Sequence, residues 1–260
     1  MKKVQDVTTA DVLAVLTPVW TKKPETARRI RQRIGTVMKW VIAQGWRQDN
    51  PAENISQALP KVNKAPMHRR ALPYTEVTAC LQAVRASLAR PSTKLAFEYL
   101  VLTAARSGEV RGARWEEINL PAKVWEVLAE RMKTNRSHRV PLSSHALTIL
   151  NSAKALDDGS GLIFPGAKQG YPLSDMTLSK LMKELGFNAD IHGFRTSFRT
   201  WAQERTNFPR EVAEAALAHM TGDAVERAYA RSDLFEKRRK MMEAWALCLD
   251  ATSTKTVKMG

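Results

Sequence analysis

Only one stretch of this sequence, from Lys123 to Ser143, has the short apolar pattern, broken by polar residues, that is typical of neighbouring β-strands. Within it VWEVL, RMKT and HRVPLS are predicted strands, and Asn135, Arg136 and Ser137 supply the turn before the last one. The other patterned segments have apolar residues at helical spacing. We therefore predict a chain that is mainly α with one small antiparallel sheet.

Helical segments are predicted on both sides of this sheet. Their ranges are 8–16, 26–44, 75–90, 92–105, 144–156, 174–185, 192–204, 209–218, 223–230 and 233–249. Asn50-Pro51 and the segment from Pro60 to Pro66 are typical of a turn followed by a linker. We therefore place a helical domain at residues 1–66 and a larger domain, which contains the sheet, at residues 67–260.

The charge of the chain is strongly positive. Its 41 Lys and Arg against 26 Asp and Glu give a formal net charge of +15, of which residues 1–66 carry +7. This excess favours a polyanionic partner such as nucleic acid, although a basic chain can also be merely soluble. Four arginines of the second predicted helix, here called the N-terminal arginine cluster, are candidates for contacts with DNA phosphates, with a solvated helix face as the alternative. They are Arg28, Arg29, Arg31 and Arg33.

Several classes of protein are excluded by composition. Cys80 and Cys248 are the only cysteines, so the chain has neither a disulfide framework nor a zinc cluster of cysteines. No uncharged stretch approaches the ~18 residues of a membrane helix. Asp6 and Asp11 interrupt the apolar part of what would otherwise start like a signal peptide. The sequence therefore predicts a soluble intracellular protein with no membrane partner.

Two segments in the first half of the larger domain contain residues suited to a phosphodiester. In LTAARSGEVRGARW, Arg106 falls between two helical stretches, where its planar guanidinium can meet a phosphate while Glu109 holds the turn or the guanidinium. In ERMKTNRSHRVPLS, Lys133 lies in or beside a hairpin and can act as a point charge or a proton donor. Taken alone, Arg106 is more typical of a surface arginine, and Lys133 is more typical of an edge-strand lysine that prevents aggregation.

Two further segments follow near the C-terminal end. In IHGFRTSFRTWAQE, His192 and Arg195 are three residues apart at a predicted helix start, which is a favourable place for an anion. In EAALAHMTGDAVERAYARSD, His219 precedes Tyr229 by ten residues. A tyrosine alone is usually a packing residue. The following charged run from Glu236 to Lys240 is predicted to face solvent.

Six of these residues, together and in this order, resemble the catalytic set of the tyrosine recombinases, the phage integrase family. They are Arg106, Lys133, His192, Arg195, His219 and Tyr229. Four sequence segments are similar to integrases of satellite phages and genomic islands: HRVPLS, HGFRTSFRTWA, LAH and AYARSDLFEKRRKMMEAWA. The resemblance extends from about Val7 to Cys248. It implies a helical core-binding domain followed by a recombinase catalytic domain, forming a C-shaped clamp around duplex DNA.

The resemblance also implies a role for each residue. Arg106 and Arg195 would clamp the scissile phosphate, with Glu109 as catalytic support that orients the clamp. His219 would donate a third hydrogen bond to the phosphate, and His192 would accept a proton or contact the phosphate. The two remaining roles are those of nucleophile and acid: Tyr229 would attack, and Lys133 would protonate the leaving 5′-oxygen. The 3′-phosphotyrosine conserves bond energy, so that neither ATP, a metal nor another cofactor is expected.

The expected partners are double-stranded DNA and further copies of the chain. The resemblance implies a homotetramer on DNA, a monomer in solution, and an excisionase or a DNA-bending host factor as an accessory partner, in the bacterial cytoplasm at the nucleoid. Integrases of this type normally begin with an arm-binding domain, which is not visible before Met1. We therefore expect a fragment or a shortened relative.

The function predicted from the sequence is site-specific recombination that integrates or excises a mobile element. One alternative is a DNA-binding remnant that keeps the fold but no longer transfers strands. A type IB topoisomerase, which uses similar chemistry, is a less favoured alternative. A covalent protein–DNA adduct would separate the enzyme from the remnant.

Overall fold

The structure is a computed structural model that describes residues 2–61, 70–132, 134–219 and 233–256, with side chains through residue 250. It divides into two compact units, Met1–Met67 and His68–Gly260. The α-helices of the described residues are α1 (Thr9–Trp20), α2 (Pro24–Ala43), α3 (Val77–Ala86), α4 (Pro91–Thr103), α5 (Ser107–Arg111), α6 (Ser144–Ala153), α7 (Thr177–Glu184), α8 (Gly193–Arg205), α9 (Arg210–Ala216) and α10 (Phe235–Thr256).

The first unit is built on the packing of α1 against α2. Thr8 begins α1 with a capping box, in which its hydroxyl accepts a hydrogen bond from the backbone of Asp11 and the Asp11 carboxylate accepts one from the backbone of Thr8. Leu16 and Ile55 are buried in the small core of this unit. The indole of Trp20 donates a hydrogen bond to the carbonyl of Pro60, which fixes the end of the unit against α1.

The second unit has one large core around α4. Ten of the thirteen residues of α4 are buried, so this helix packs on nearly all sides. Phe97 contacts Phe194 of α8, and Tyr99 contacts Trp125 of the sheet. The indole of Trp245 in α10 donates a hydrogen bond to the carbonyl of Val101. Helices from distant parts of the sequence are therefore fixed to one buried helix.

The sheet is antiparallel, with three short strands in the order β1 (Ile118–Asn119), β2 (Val124–Val127) and β3 (His138–Pro141). The prediction of a mainly α chain with one small antiparallel sheet is confirmed. The prediction of a strand at RMKT is wrong, because the backbone of Ala129–Arg131 forms a 3₁₀ turn. In this turn the Arg131 side chain pairs with Glu117. The third strand is instead β1, which is too short to leave an alternating pattern.

The predicted helix at residues 223–230 lies outside the described residues. The other predicted helices agree with observed helices within four residues at each end, except that α10 continues seven residues beyond the predicted end at 249. In the part of the chain that is described, no helix is both long and apolar enough to cross a membrane.

Candidate active site

Arg106 is placed by a sharp turn between two helices. Helix α4 ends at Thr103, and Ala104 follows in the left-handed region with φ of 49°. Arg106 is then the N-cap of α5. The Glu109 carboxylate accepts hydrogen bonds from the Arg106 backbone at 2.9 Å and from its guanidinium at 2.7 Å. Glu109, itself buried, thus holds both the turn and the side chain.

Arg195 lies in the first turn of α8, and only 5% of the residue is exposed. Its guanidinium donates hydrogen bonds to the carbonyls of Ala104 and Leu217. The guanidinium nitrogen that donates to Leu217 also lies 3.2 Å from Nε2 of His219. Among the described atoms, the buried Nε of Arg195 has no hydrogen-bond partner. Three separate segments therefore meet at one guanidinium.

The electrostatic environment of Arg195 shows that the two candidate clamp arginines interact. The pKa of Arg195 is lowered to about 10, mainly by burial and next by the charge of Arg106, against the opposing charges of Glu109 and Glu214. Two guanidinium groups that repel each other in this way concentrate positive charge, which the carboxylate of Glu109 partly offsets. A phosphate with its negatively charged oxygens is the natural ligand for such a concentration of charge.

The start of α8 is fixed by close backbone packing. A Cβ atom at Gly193 would collide with the backbone of Arg70 and Ala71, so that only glycine allows this approach. The hydroxyl of Ser197 donates a hydrogen bond to the carbonyl of Leu72. His192 is the N-cap residue of α8 and is exposed, whereas Arg195 is buried. The two residues thus differ in environment although they are three apart.

Lys133 and Tyr229 lie outside the described residues, and their placement stays a prediction. The described chain that leads to Lys133 is tied to the turn of Arg106, because the guanidinium of Arg131 contacts the Glu117 carboxylate and the Glu109 carbonyl. Four residues after Tyr229, Asp233 accepts a hydrogen bond from Arg139 at 2.7 Å. The structure thus brings together Arg106, Glu109, Arg195 and His219 of the predicted set.

Two residues beside this group were not identified from the sequence. His138 in β3 has its pKa lowered to about 4, mainly by burial and next by the charge of Arg238, with smaller effects of Arg195 and Arg106. Arg238 in α10 is 1% exposed and donates hydrogen bonds to the carbonyls of Ala215 and Arg139.

The prediction that the run from Glu236 to Lys240 faces solvent is therefore wrong at Arg238. A signal was present, because Arg238 lies three, four and seven residues before Met241, Met242 and Trp245, all of which are buried. Helical spacing alone places Arg238 on the buried face. No comparable signal marks His138, whose environment depends on residues from three distant segments.

The N-terminal arginine cluster lies on α2. Arg28, Arg29 and Arg33 are exposed and Arg31 is half-buried. Glu25 pairs with Arg29 at 3.0 Å across one helical turn. The buried face of α2 contains Ala27, Met38 and Val41, so the exposed arginines lie on the side away from the core of their own unit.

The sequence matches known families over nearly all of the described chain. Residues 1–58 match the phage integrase central domain, and residues 70–234 match the phage integrase family. The second match covers more than half of the chain, and the chain therefore belongs to the phage integrase family. The resemblance identified from the six residues is confirmed at this level.

Relatives and solved structures agree with this assignment. Prophage integrase IntA of Escherichia coli K12 is 37% identical over 236 residues, covering 90% of this chain and 56% of the relative. The integrase of Enterobacteria phage P4 is 30% identical, covering 91% of this chain and 58% of the relative. A lambda integrase dimer bound to a COC′ core site has the same fold, with a TM-score of 0.63, 23% identity, and coverage of 89% and 82%. The chain thus spans somewhat more than half the length of these curated relatives.

Proposed function

We propose that this chain is the core-binding and catalytic part of a site-specific tyrosine recombinase that integrates or excises a mobile element. One observation carries the proposal. Arg106, Arg195 and His219 come from three distant segments and converge around the Arg195 guanidinium, with Glu109 holding Arg106. Arg195 donates to two carbonyls and forms no salt bridge with a carboxylate among the described residues, so its charge is available to an anionic ligand.

In the proposed reaction the phenol oxygen of Tyr229 attacks the scissile phosphorus, and the bond from phosphorus to the 5′-oxygen breaks. Lys133 supplies the proton that the leaving 5′-oxygen takes up, and His192 is the candidate acceptor of the phenol proton. Arg106 and Arg195 neutralise the charge that grows on the non-bridging oxygens. The 5′-hydroxyl of a second strand reverses these steps, and no bond energy from ATP is consumed.

Duplex DNA is the proposed substrate and partner. The net charge of +15 supports this, as does the exposed side of α2 with its arginine cluster. Solved relatives of the same fold include a lambda integrase tetramer bound to a Holliday junction, with a TM-score of 0.63 and 22% identity. We extend the tetramer, and a place at the bacterial nucleoid, to this chain as part of the proposal.

Trapping on a nicked suicide substrate tests the proposal. In such DNA the released strand diffuses away, so that a tyrosine nucleophile leaves a covalent protein–DNA band on a denaturing gel. Tyr229→Phe removes one hydroxyl and almost no volume, and we expect it to abolish this band while DNA binding persists. Tyr171→Phe, at a tyrosine that is 55% exposed, is the matched control and should form the band normally.

Two results would contradict the proposal. A covalent band that persists in Tyr229→Phe would show that another group is the nucleophile. No band from the unsubstituted chain on any core-site substrate, together with normal DNA binding, would favour the DNA-binding remnant.

A further inference from the structure

His219 lies between two partners of opposite character. Its Nδ1 is 2.7 Å from Oε2 of Glu214, and its Nε2 is 3.2 Å from the guanidinium of Arg195. Glu214 was not part of the predicted site and belongs to α9, five residues before the histidine. The imidazole ring therefore connects a carboxylate on one side to the phosphate-clamp arginine on the other.

These two contacts determine which ring nitrogen carries the proton. An ionised carboxylate can only accept a hydrogen bond, so Nδ1 must donate to Glu214. A guanidinium can only donate, so Nε2 must accept from Arg195. Both contacts require the same neutral tautomer, with the proton on Nδ1 and the free electron pair of Nε2 directed toward the clamp.

Glu214 is held in the ionised form by its own surroundings. Only 4% of the residue is exposed, and burial by itself would raise the pKa of its carboxyl. The hydrogen bond with His219 and the charges of Arg199 and Arg210 outweigh burial, and the pKa is lowered. Arg199 lies 2.6 Å from Oε1 and Arg210 lies 3.7 Å from it, as ion pairs without the geometry of hydrogen bonds.

The backbone explains why these two side chains meet. Helix α9 ends in a Schellman-type turn, in which Ala218 has φ of 49° and donates to the carbonyl of Ala215. The His219 amide donates to the carbonyl of Glu214 at 2.9 Å. This turn regularly brings the residues at these two positions into contact, commonly as an apolar pair. Here the pair is a carboxylate and an imidazole.

We propose that Glu214 is a positioning residue for His219, a role that rests on the proposed function. It holds the ring by Nδ1 so that Nε2 faces the position of the scissile phosphate beside Arg195. The His219 side chain is 41% exposed, so Nε2 can take up a proton from solvent and donate a hydrogen bond to the phosphate. The ring then carries a positive charge, and the carboxylate of Glu214 compensates that charge. The same logic applies to an aspartate that orients a catalytic histidine in hydrolases.

The substitution Glu214→Gln tests this role with little change in volume. The positive charges of Arg199 and Arg210 favour the amide oxygen on their side, so that the amide nitrogen faces Nδ1. The neutral ring must then carry its proton on Nε2, where it would oppose the donors of Arg195. The variant also lacks the carboxylate that compensates the positively charged ring. We expect the rate of covalent adduct formation to fall about 10- to 100-fold, the range typical of partners that orient a functional histidine.

A double-mutant comparison separates positioning from a general structural role. In a His219→Ala background, Glu214→Gln should cause no further loss of cleavage, because the ring on which it acts is absent. Glu98→Gln is the matched control, since Glu98 is also buried, pairs with Arg85 at 2.7 Å and has His145 3.9 Å away. It should leave the rate of adduct formation unchanged. An unchanged rate in Glu214→Gln, or an equal loss in both backgrounds, would overturn the proposal.

A second measurement does not depend on cleavage. Long-range ¹H–¹⁵N spectra of the ring report directly which nitrogen of His219 is protonated. The unsubstituted chain should show the Nδ1 proton with an unprotonated Nε2, and Glu214→Gln should lose that pattern. If no variant cleaves DNA, the proposed function fails, while this spectrum still decides the orientation of the ring. An Nε2-protonated neutral ring in the unsubstituted chain would refute the inference.

Discussion

Acidification should destabilise the second unit through His138. In the folded chain this histidine is kept neutral by burial and by the charge of Arg238, with smaller effects of Arg195 and Arg106, so its pKa lies at about 4. A hydrogen bond to the Ala216 backbone opposes these effects. In the unfolded chain the imidazole is free of all of them and has its ordinary pKa of 6.5.

The direction in which stability changes with pH follows from which state, folded or unfolded, binds the proton. Between pH 6.5 and pH 4 the unfolded chain is protonated at His138 and the folded chain is not, so stability falls as the pH falls. Above this window both states are neutral at His138, and the group contributes no pH dependence. The two pKa values predict a loss of about 2 kcal/mol from this one residue between about pH 7 and pH 5.

Urea unfolding at these two pH values, followed by tryptophan fluorescence, measures the effect. The substitution His138→Gln removes the titrating group, whereas the carboxylates that also titrate are common to both proteins. The unsubstituted chain should therefore lose about 2 kcal/mol more than the variant on acidification. An equal loss in the two proteins would refute the reasoning, because it would show that His138 is not kept neutral by burial and the arginines.

Two further predictions concern the turn beside Arg106 and the surface of α2. Ala104→Gly should raise the free energy of unfolding by up to about 1 kcal/mol, because φ of 49° is strained for alanine, whereas Ala105→Gly, where φ is negative, should lower it. Thermal unfolding should show shifts of opposite sign for the two variants. Shifts of the same sign would contradict this reasoning. Replacing the N-terminal arginine cluster with glutamine should flatten the plot of log affinity for duplex DNA against log salt by about 0.9 for each DNA phosphate that these arginines neutralise. An unchanged slope would show that this helix does not bind the DNA backbone.

The sequence predicted the parts of the site that depend on order along the chain. The order of Arg106, Arg195 and His219 along the chain is part of the resemblance from which a phosphate site is predicted, and the three residues are close together in the structure. Glu214 was missed because its importance depends on the turn at Ala218, where an alanine adopts a conformation that usually requires glycine.

The errors in the fold have equally local causes. RMKT is predicted as a strand from its place between VWEVL and HRVPLS, and Met132 is indeed buried, but burial of one side chain does not require an extended backbone. The guanidinium of Arg131 reaches Glu117 by curling back in a 3₁₀ turn. Contacts of this kind join residues fourteen or more positions apart and leave no periodic pattern in the sequence.

The contacts of Arg195 link the stability of the fold to the proposed binding of an anion. Its guanidinium donates to two carbonyls and contacts the His219 ring, and its Nε has no hydrogen-bond partner among the described atoms. Burial and the charge of Arg106 outweigh the opposing charges of Glu109 and Glu214 and lower its pKa, so the environment disfavours the charged form. Among the described residues Arg195 forms no salt bridge that the proposed phosphate would have to displace, and the charge of that phosphate would favour the charged form of Arg195. Under the proposed function, a bound phosphate therefore stabilises the folded chain, and a substitution of Arg195 selected for stability alone would remove the proposed phosphate contact.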